Sequence, residues 1–258
     1  MKQPLAYIHP AAKIAPSVVI DPFVTIDANV EIGEGTNISS YVTILEGSRI
    51  GKNCNIFPGA VVGAIPQDLK FRGEDTLAVV GDNTTLREFV TVNRGTASKG
   101  KTVVGDNCLI MAYSHVAHDC TVGNHVIISN ATQLAGEVIV DDYAVIGGGT
   151  LVHQFCHLGA HVMIQGGALI NKDVPPFVKA AREPISYAGV NSIGLRRRDF
   201  SSETIRDSQD IYRYLYLAGL NVTDAVARIE AELPATPERD EIIMFIRNSK
   251  RGIIRGYA

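Results

Sequence analysis

The feature that most constrains the fold of this chain is an aliphatic residue at every sixth position. The first segment is an unbroken isoleucine series: Ile8, Ile14, Ile20, Ile26, Ile32, Ile38, Ile44, Ile50 and Ile56. The period continues at Val62, breaks, resumes at Val80, and later runs from Val104 to Ile170 without interruption. A period of six residues matches neither the 3.6-residue helical repeat nor the two-residue alternation of a strand. The period therefore predicts a solenoid of short strands, in which each repeat buries its apolar face against its neighbours.

A second position in each hexad supports the same register. Four residues after each aliphatic residue comes a small or β-branched one, as at Val18, Thr36, Ala60 and Ala144. The other four positions are rich in Gly, Asp, Asn and Pro, which favour turns. One large and one small side chain per hexad are thus predicted to point inward. All four cysteines fall on the small position, and we interpret them as apolar fillers rather than metal ligands or disulfide partners. They are Cys54, Cys108, Cys120 and Cys156.

The hexads end near Pro175-Pro176, and the remainder of the chain has helical signals. We divide the chain into a β-helical domain, 1–189, and a C-terminal helical domain, 190–258. Ser201 or Ser202 is predicted to cap a helix that ends near Ala218. Thr223 is predicted to open a second helix, and Thr236-Pro237 a third, because proline favours the first helical position. Such helices would cover the unpaired strand edges of the last coil.

Composition and charge limit the function. A formal net charge of −3 argues against nucleic acid as a partner. No segment approaches the ~20 apolar residues of a transmembrane helix. The N-terminus lacks a basic region followed by an apolar run, so no signal peptide is predicted. We therefore expect a cytoplasmic protein.

The repeat is interrupted twice, and insertions at solenoid corners often have functional roles. The first interruption, around Ala64–Val79, includes Gln67, Asp68 and Lys70, and we favour a functional role for it. The second, around Gly95–Val103, is short, small and basic, and we interpret it as a solvated loop.

Histidines suggest where chemistry takes place. His115 and His118 flank Val116-Ala117, and Asp119 follows. Val116 and Val152 are two whole 18-residue coils apart, so we expect His118, Glu137 and His153 to form one column beside a corner. A histidine whose pKa is near 6.5 is suited to taking a proton from a hydroxyl, and Asp119 can orient its ring.

A metal site is the alternative use of these histidines. The spacing of His153, His157 and His161 by four would form one ligand face on a helix. On hexad strands the three positions point in different directions, which disfavours a shared metal.

Six segments of the sequence form recognisable motifs: Ile65-Pro66-Gln67-Asp68-Leu69-Lys70, His115-Val116-Ala117-His118-Asp119-Cys120, Leu134-Ala135-Gly136, Val152-His153-Gln154-Phe155, Gly189-Val190-Asn191 and Gly194-Leu195-Arg196-Arg197-Arg198. These motifs resemble those of one enzyme family within the left-handed parallel β-helix superfamily, the UDP-N-acetylglucosamine O-acyltransferases. The resemblance covers almost the whole chain.

The resemblance implies a left-handed coil and a homotrimer with active sites between neighbouring subunits. It implies a (3R)-3-hydroxyacyl donor on acyl carrier protein and the 3-hydroxyl of a UDP-sugar as acceptor. Phosphopantetheine arrives on the carrier, so no metal or diffusible cofactor is expected. The roles it implies are His118 as general base, Asp119 as its helper and the Gly136 N–H as oxyanion donor. Substrate-binding roles fall to Gln67, Asp68, Lys70, His115, Glu137, His153, Gln154, Gly166, Asn191 and Arg197, with Gly166 limiting the acyl length.

Two positions depart from the family pattern near the sugar-nucleotide site. Glu137 replaces a common His, and Ile193 replaces a common Glu. A 3-amino sugar acceptor therefore stays an alternative, as does a sister N-acyltransferase. A zinc carbonic anhydrase of the same fold and a purely structural prism are the alternatives from other classes.

Overall fold

The computed structural model describes residues 5–256. It contains short strands followed by four helices. The strands of the first half are β1 (Tyr7–Ile8), β2 (Lys13–Ile14), β3 (Val19–Ile20), β4 (Thr25–Ile26), β5 (Glu31–Ile32), β6 (Asn37–Ile38), β7 (Thr43–Ile44), β8 (Ser48–Ile50), β9 (Asn55–Ile56), β10 (Val61–Ala64), β11 (Leu77–Val80), β12 (Thr85–Leu86) and β13 (Thr91–Asn93).

The later strands are β14 (Lys101–Val104), β15 (Leu109–Ile110), β16 (His115–Val116), β17 (Thr121–Val122), β18 (Ile127–Ile128), β19 (Gln133–Leu134), β20 (Ile139–Val140), β21 (Val145–Ile146), β22 (Leu151–Val152), β23 (His157–Leu158), β24 (Met163–Ile164), β25 (Leu169–Ile170), β26 (Val178–Ala181) and β27 (Ser186–Val190). The helices are α1 (Ser192–Arg196), α2 (Ser202–Tyr216), α3 (Val222–Glu232) and α4 (Pro237–Asn248).

Every third strand pairs in parallel, which produces three sheets around a triangular core. One sheet runs β1-β4-β7-β10-β13-β16-β19-β22-β25, and we call it the cavity face. A second runs β2 to β23 in the same way, and the third runs from β3 to β24 before β26 and β27. Residues pair with residues 18 positions later, as Ile8 does with Ile26. The predicted left-handed parallel β-helix is confirmed.

The core follows the hexad pattern. Ile26, Ile44, Ile110 and Leu134 are all completely buried, and small residues such as Ala144 fill the space between them. The four cysteines are buried free thiols, as the filler interpretation predicts. Burial raises the pKa of Cys120 to about 12, so its thiol stays protonated at neutral pH.

The two interruptions lengthen successive coils without breaking the sheets. Val61 pairs with Thr91, which is thirty residues later instead of eighteen. Thr91 then pairs with His115, twenty-four residues later. The inserted residues leave the prism at the corner that follows the cavity face, between β10 and β11 and between β13 and β14.

The corner between the second and third sheets has a different character. His125, Tyr143, His161 and Phe177 all have positive φ values there, and their rings stack in succession. We call these four residues the aromatic corner. The ring centroids of His125 and Tyr143 are 4.6 Å apart, and those of Tyr143 and His161 are 4.9 Å apart.

The helices close the top of the prism, and β26 and β27 continue the third sheet up to them. Ser201 caps α2 and Thr236 caps α4, and both caps confirm the predictions. The predicted start of α3 at Thr223 is wrong by two positions, because Asn221 accepts a hydrogen bond from the Asp224 N–H and caps the helix earlier. The division at residue 189 stays a prediction. Within residues 5–256, none of the helices has the length and apolar character needed to span a bilayer.

Candidate active site

A cavity of about 590 Å³ opens on the cavity face along its last four coils. Strands β16, β19, β22 and β25 form its floor, and the first interruption contributes one residue to its rim. Six of the predicted site residues line this one cavity: Gln67, His115, His118, Gly136, His153 and Gln154. The repeat register therefore brings together residues that are up to 87 positions apart in the chain.

His118 is the best-placed base in this cavity. It follows β16 at the corner, and four-fifths of its side chain is buried. Its Nδ1 lies 2.9 Å from Oδ2 of Asp119. Because a carboxylate accepts and does not donate, this contact assigns the proton to Nδ1. Nε2 is then the unprotonated nitrogen, available to accept a proton from a substrate.

Asp119 lies behind His118 and is fully buried. Its Oδ1 accepts the Thr96 N–H at 2.9 Å, and its Oδ2 accepts the Thr96 hydroxyl at 2.7 Å. Burial alone would raise the pKa of Asp119, but the hydrogen bonds from Thr96 and His118 outweigh it and lower the pKa below its usual 3.8. Asp119 is consequently a charged partner for the His118 ring at neutral pH.

Gly136 supplies the surface on which the His118 ring lies. A Cβ at residue 136 would lie 2.6 Å from Cε1 and 2.7 Å from Nε2 of His118. Only glycine therefore leaves room for the His118 ring at this position. Among residues 5–256, the N–H of Gly136 has no hydrogen-bond partner. A free backbone donor beside a base is the arrangement that can stabilise an oxyanion.

His115 is a neutral neighbour of His118. Its Nδ1 lies 2.7 Å from the Thr91 hydroxyl. Burial, and secondarily the nearby His118, lower the pKa of His115. It is therefore uncharged at neutral pH and suited to hydrogen bonding with a substrate hydroxyl rather than to charge pairing.

The far wall of the cavity is more open. His153 and Gln154 are exposed, and Nδ1 of His153 lies 3.0 Å from the backbone carbonyl of Gln154. Leu151 and Leu169, which sequence reasoning missed, line the same wall although they are 47% and 55% exposed. Their outward position in the hexad was the only signal for them.

The three histidines spaced by four diverge, as predicted. His153 lines the cavity, whereas Nε2 of His157 binds Asp141 at 2.8 Å, and His161 belongs to the aromatic corner. Among residues 5–256, no group of three or more His, Cys, Asp or Glu side chains is arranged to hold a metal ion.

The first interruption reaches the cavity through Gln67 only. Asp68 Oδ1 accepts the Lys70 N–H at 3.0 Å, so this carboxylate stabilises its own loop. The Lys70 side chain is exposed, and neither residue belongs to the cavity lining. Their predicted substrate contacts stay predictions.

The interpretation of the second interruption as a solvated loop holds for residues 97–99, which are exposed, but it is wrong for Thr96. Thr96 is 8% exposed, because its two donors face the buried carboxylate of Asp119. Lys99 Nζ lies 3.2 Å from the Asp119 carbonyl oxygen. The loop therefore packs against the residue that orients His118, and sequence reasoning missed both side chains.

The predicted column of His118, Glu137 and His153 is wrong in two members, each by one residue, although His153 still lines the cavity. Register places Gly136 and Gln154 beside His118, while Glu137 follows the corner. The Glu137 carboxylate lies 3.9 Å from Lys99 Nζ and is outside the cavity lining.

Three other predicted residues lie outside the cavity. Asn191 is 7% exposed, and both of its amide atoms are used: Nδ2 donates to the His161 carbonyl and Oδ1 caps α1. It is thus placed as a helix cap and not in the cavity. Arg197 is exposed at the end of α1. Gly166 does not have a positive φ, but a Cβ there would lie 3.1 Å from the Gly148 carbonyl oxygen, so close backbone packing also favours glycine at this position.

Fold and site together define a transferase of the hexapeptide-repeat class, and comparisons with known proteins agree. Residues 101–136 match the family model of the bacterial transferase hexapeptide (six repeats). Residues 173–254 match that of UDP N-acetylglucosamine O-acyltransferase, domain 2, and residues 2–104 match the GMPPB C-terminal domain.

Full-length relatives narrow the class to one family. The chain is 45% identical over 251 residues to an acyl-[acyl-carrier-protein]–UDP-N-acetylglucosamine O-acyltransferase from Thermodesulfovibrio yellowstonii, with 97% of each chain covered. It is 57% identical to the LpxA structure from Bacteroides fragilis, with a TM-score of 0.98 and coverage of 99% and 100%. The Francisella novicida UDP-N-acetylglucosamine acyltransferase is 40% identical, with a TM-score of 0.96 and coverage of 99% and 94%. This chain belongs to the UDP-N-acetylglucosamine O-acyltransferase family.

Proposed function

We propose that this enzyme transfers a (3R)-3-hydroxyacyl chain from acyl carrier protein to the 3-hydroxyl of UDP-N-acetylglucosamine, as the first step of lipid A synthesis. The observation that supports the chemistry is the His118–Asp119 pair at the cavity wall, with Nδ1 of His118 hydrogen bonded to the carboxylate. The names of the full-length relatives support the donor and the acceptor.

The steps follow from the geometry of the pair. Nε2 of His118 takes the proton of the sugar 3-hydroxyl as its oxygen attacks the thioester carbonyl carbon. The negative charge that develops on the carbonyl oxygen is stabilised by the Gly136 N–H. The tetrahedral intermediate then collapses, the carbon–sulfur bond breaks, and the departing carrier thiolate receives the proton from the His118 imidazolium.

Asp119 assists without reacting. Its negative charge stabilises the imidazolium that forms on His118, and its hydrogen bond keeps the ring in the tautomer that can act as a base. His115, Gln67, His153 and Gln154 surround the reacting centre and are proposed to bind the substrates. No metal or diffusible cofactor is required, because the thioester is itself activated.

The remaining expectations belong to the same proposal. We propose a homotrimer in which neighbouring prisms enclose the cavity, and the exposed leucines of its open wall support a covering partner. Buried free thiols are compatible with a cytoplasmic location. Gly166, the acyl-length residue, is expected to permit long donors of about fourteen carbons or more, because a missing side chain leaves room for methylenes.

The test is an acyl-transfer assay with a panel of 3-hydroxyacyl carrier proteins and both UDP-N-acetylglucosamine and its 3-amino analogue. His118→Ala should lower kcat by 10²- to 10⁴-fold, the range that a general base contributes. His125→Ala is the matched control, since His125 is an exposed histidine at the aromatic corner. An His118→Ala enzyme with activity within a few-fold of wild type removes His118 from the mechanism. If only the 3-amino analogue were acylated, the acceptor would be the amine and not the 3-hydroxyl.

A further inference from the structure

One residue of the second interruption, Thr96, contacts the carboxylate of the catalytic pair. Its hydroxyl donates to Asp119 Oδ2 at 2.7 Å, and its backbone N–H donates to Asp119 Oδ1 at 2.9 Å. Among residues 5–256, the only other hydrogen-bonding partner of this carboxylate is His118. Thr96 therefore supplies two of the three hydrogen bonds that stabilise a fully buried carboxylate.

A buried carboxylate with few donors tends to become protonated, because charge is poorly solvated away from water. A protonated Asp119 would donate its O–H to Nδ1 of His118 and thereby reverse the contact. The ring proton would then sit on Nε2, which could no longer accept a proton from the sugar hydroxyl. The orientation and charge of Asp119 thus determine whether His118 is a base.

The Thr96 hydroxyl is itself fixed in direction. It accepts the Ser98 N–H at 3.1 Å, which leaves its single proton to point at Asp119. The position of the carboxylate is set separately, because the Asp119 N–H donates to the Thr102 hydroxyl at 2.8 Å. The contact between Thr96 and Asp119 is consequently formed by two elements that are each anchored independently.

The loop does not depend on the Thr96 hydroxyl for its own path. Thr76 donates to the Gly95 carbonyl at 2.7 Å, and the Gly100 N–H donates to the Thr96 carbonyl at 2.8 Å. Lys99 adds its contact with the Asp119 carbonyl. Loss of the hydroxyl alone should therefore leave the loop in place and change only the carboxylate.

We propose that Thr96 is a positioning residue for the acyl transfer: it keeps Asp119 ionised and oriented so that His118 has its proton on Nδ1 and presents Nε2 to the sugar hydroxyl. The inference rests on the proposed function, in which His118 is the general base. It gives the six-residue second insertion a role that the hexad repeat does not require.

The test compares Thr96→Val, which keeps shape and the backbone donor, with Thr96→Ser, which restores the hydroxyl. Thr84→Val is the matched control, because Thr84 is also a buried threonine and its hydroxyl donates to the Gly105 carbonyl, away from the cavity. Thr96→Val should lower kcat by on the order of ten- to a hundred-fold, as expected for one hydrogen bond to a charged group. KM for both substrates should stay within about twofold.

Two further readouts separate positioning from a structural role. The acid limb of the pH profile of kcat should move upward in Thr96→Val, because the pKa of Asp119 rises when a stabilising donor is lost. Nitrogen-15 NMR of labelled histidine should show the Nδ1–H tautomer of His118 in wild type and in Thr96→Ser, and a shift toward Nε2–H in Thr96→Val. If Thr96→Val does not fold, Thr96→Cys, with a weaker donor, should give a smaller change in the same direction.

Each outcome decides the matter. An unchanged kcat, acid limb and tautomer in a folded Thr96→Val enzyme overturns the inference, as does an equal loss in Thr84→Val. A His118→Ala enzyme that stays active would instead defeat the proposed mechanism. The tautomer measurement needs no turnover, so the two failures are distinguishable.

Discussion

Histidines occur at two corners of this prism, and their surroundings differ completely. At the corner after the cavity face, His118 is hydrogen bonded to the buried carboxylate of Asp119 and lines the cavity. At the aromatic corner, His161 stacks between Tyr143 and Phe177, and its Nδ1 is buried without a partner among residues 5–256. Burial, and secondarily Arg198, lower the pKa of His161 to about 4, and Asp142 opposes the shift only weakly.

The comparison shows what turns a repeat position into a site. Both histidines leave the hexad at a turn, and the strands beside them are equally regular. The difference lies in the insertion: only the first corner receives a loop, whose Thr96 stabilises the charge of Asp119. The aromatic corner has no such loop, and its His161 is a neutral residue that packs against aromatic rings.

The largest effect is expected from Asp119→Asn, which makes the first corner resemble the second. An amide can donate to Nδ1 of His118, so the ring would place its proton on Nε2 and cease to be a base. The corresponding change in Ser-His-Asp triads costs about 10⁴-fold in kcat. We expect a kcat at least 10²-fold lower, with KM nearly unchanged, in the acyl-transfer assay. A kcat within tenfold of wild type would mean that Asp119 is only a structural partner.

A smaller effect is expected from Gly136→Ala, which moves the His118 ring without touching its partner. The new Cβ would lie 2.6 Å from Cε1 of His118, so the ring must leave its present position. Because residue 136 lacks a positive φ, alanine is compatible with the backbone, and Tm should change little. We expect kcat to fall by roughly ten- to a hundred-fold, a scale set by the sensitivity of catalysis to a 1 Å misplacement. A crystal structure of a fully active variant with an unmoved ring would contradict this account.

The sequence allowed the prism and most of the cavity to be predicted, for a definite reason. A strict period fixes which residues lie beside each other, so His118, Gly136 and Gln154 could be aligned by counting once the register is drawn correctly. The placement of Glu137 and His153 in register with His118 was wrong by one residue in each case. Thr96 was beyond reach because an insertion has no register. Its partner lies 23 positions later, and nothing in a Gly-Thr-Ala-Ser sequence distinguishes a buried donor from a solvated one. Gln67 was found only through the family resemblance.

The smallest effect on activity, and the clearest on stability, is expected from His161→Phe at the aromatic corner. Phenylalanine already occupies this corner position with positive φ at Phe177, so the stack should be preserved. Activity should stay within twofold, because the substitution lies away from the cavity.

The pH dependence of this variant follows from the sign of the shift. The pKa of His161 is about 4 in the folded protein and near 6.5 in the unfolded chain, so between these values the unfolded state binds more protons. Wild-type stability must therefore fall as pH decreases from about 6.5 to 4, by at most about 3 kcal/mol from this residue. Without the imidazole, this part of the loss disappears. We expect the Tm of His161→Phe minus the Tm of wild type, measured by thermal unfolding, to be larger at pH 5 than at pH 8. A Tm difference that does not depend on pH would show that the pKa of His161 is not lowered in the folded protein, and the two corners would then not differ in the way proposed.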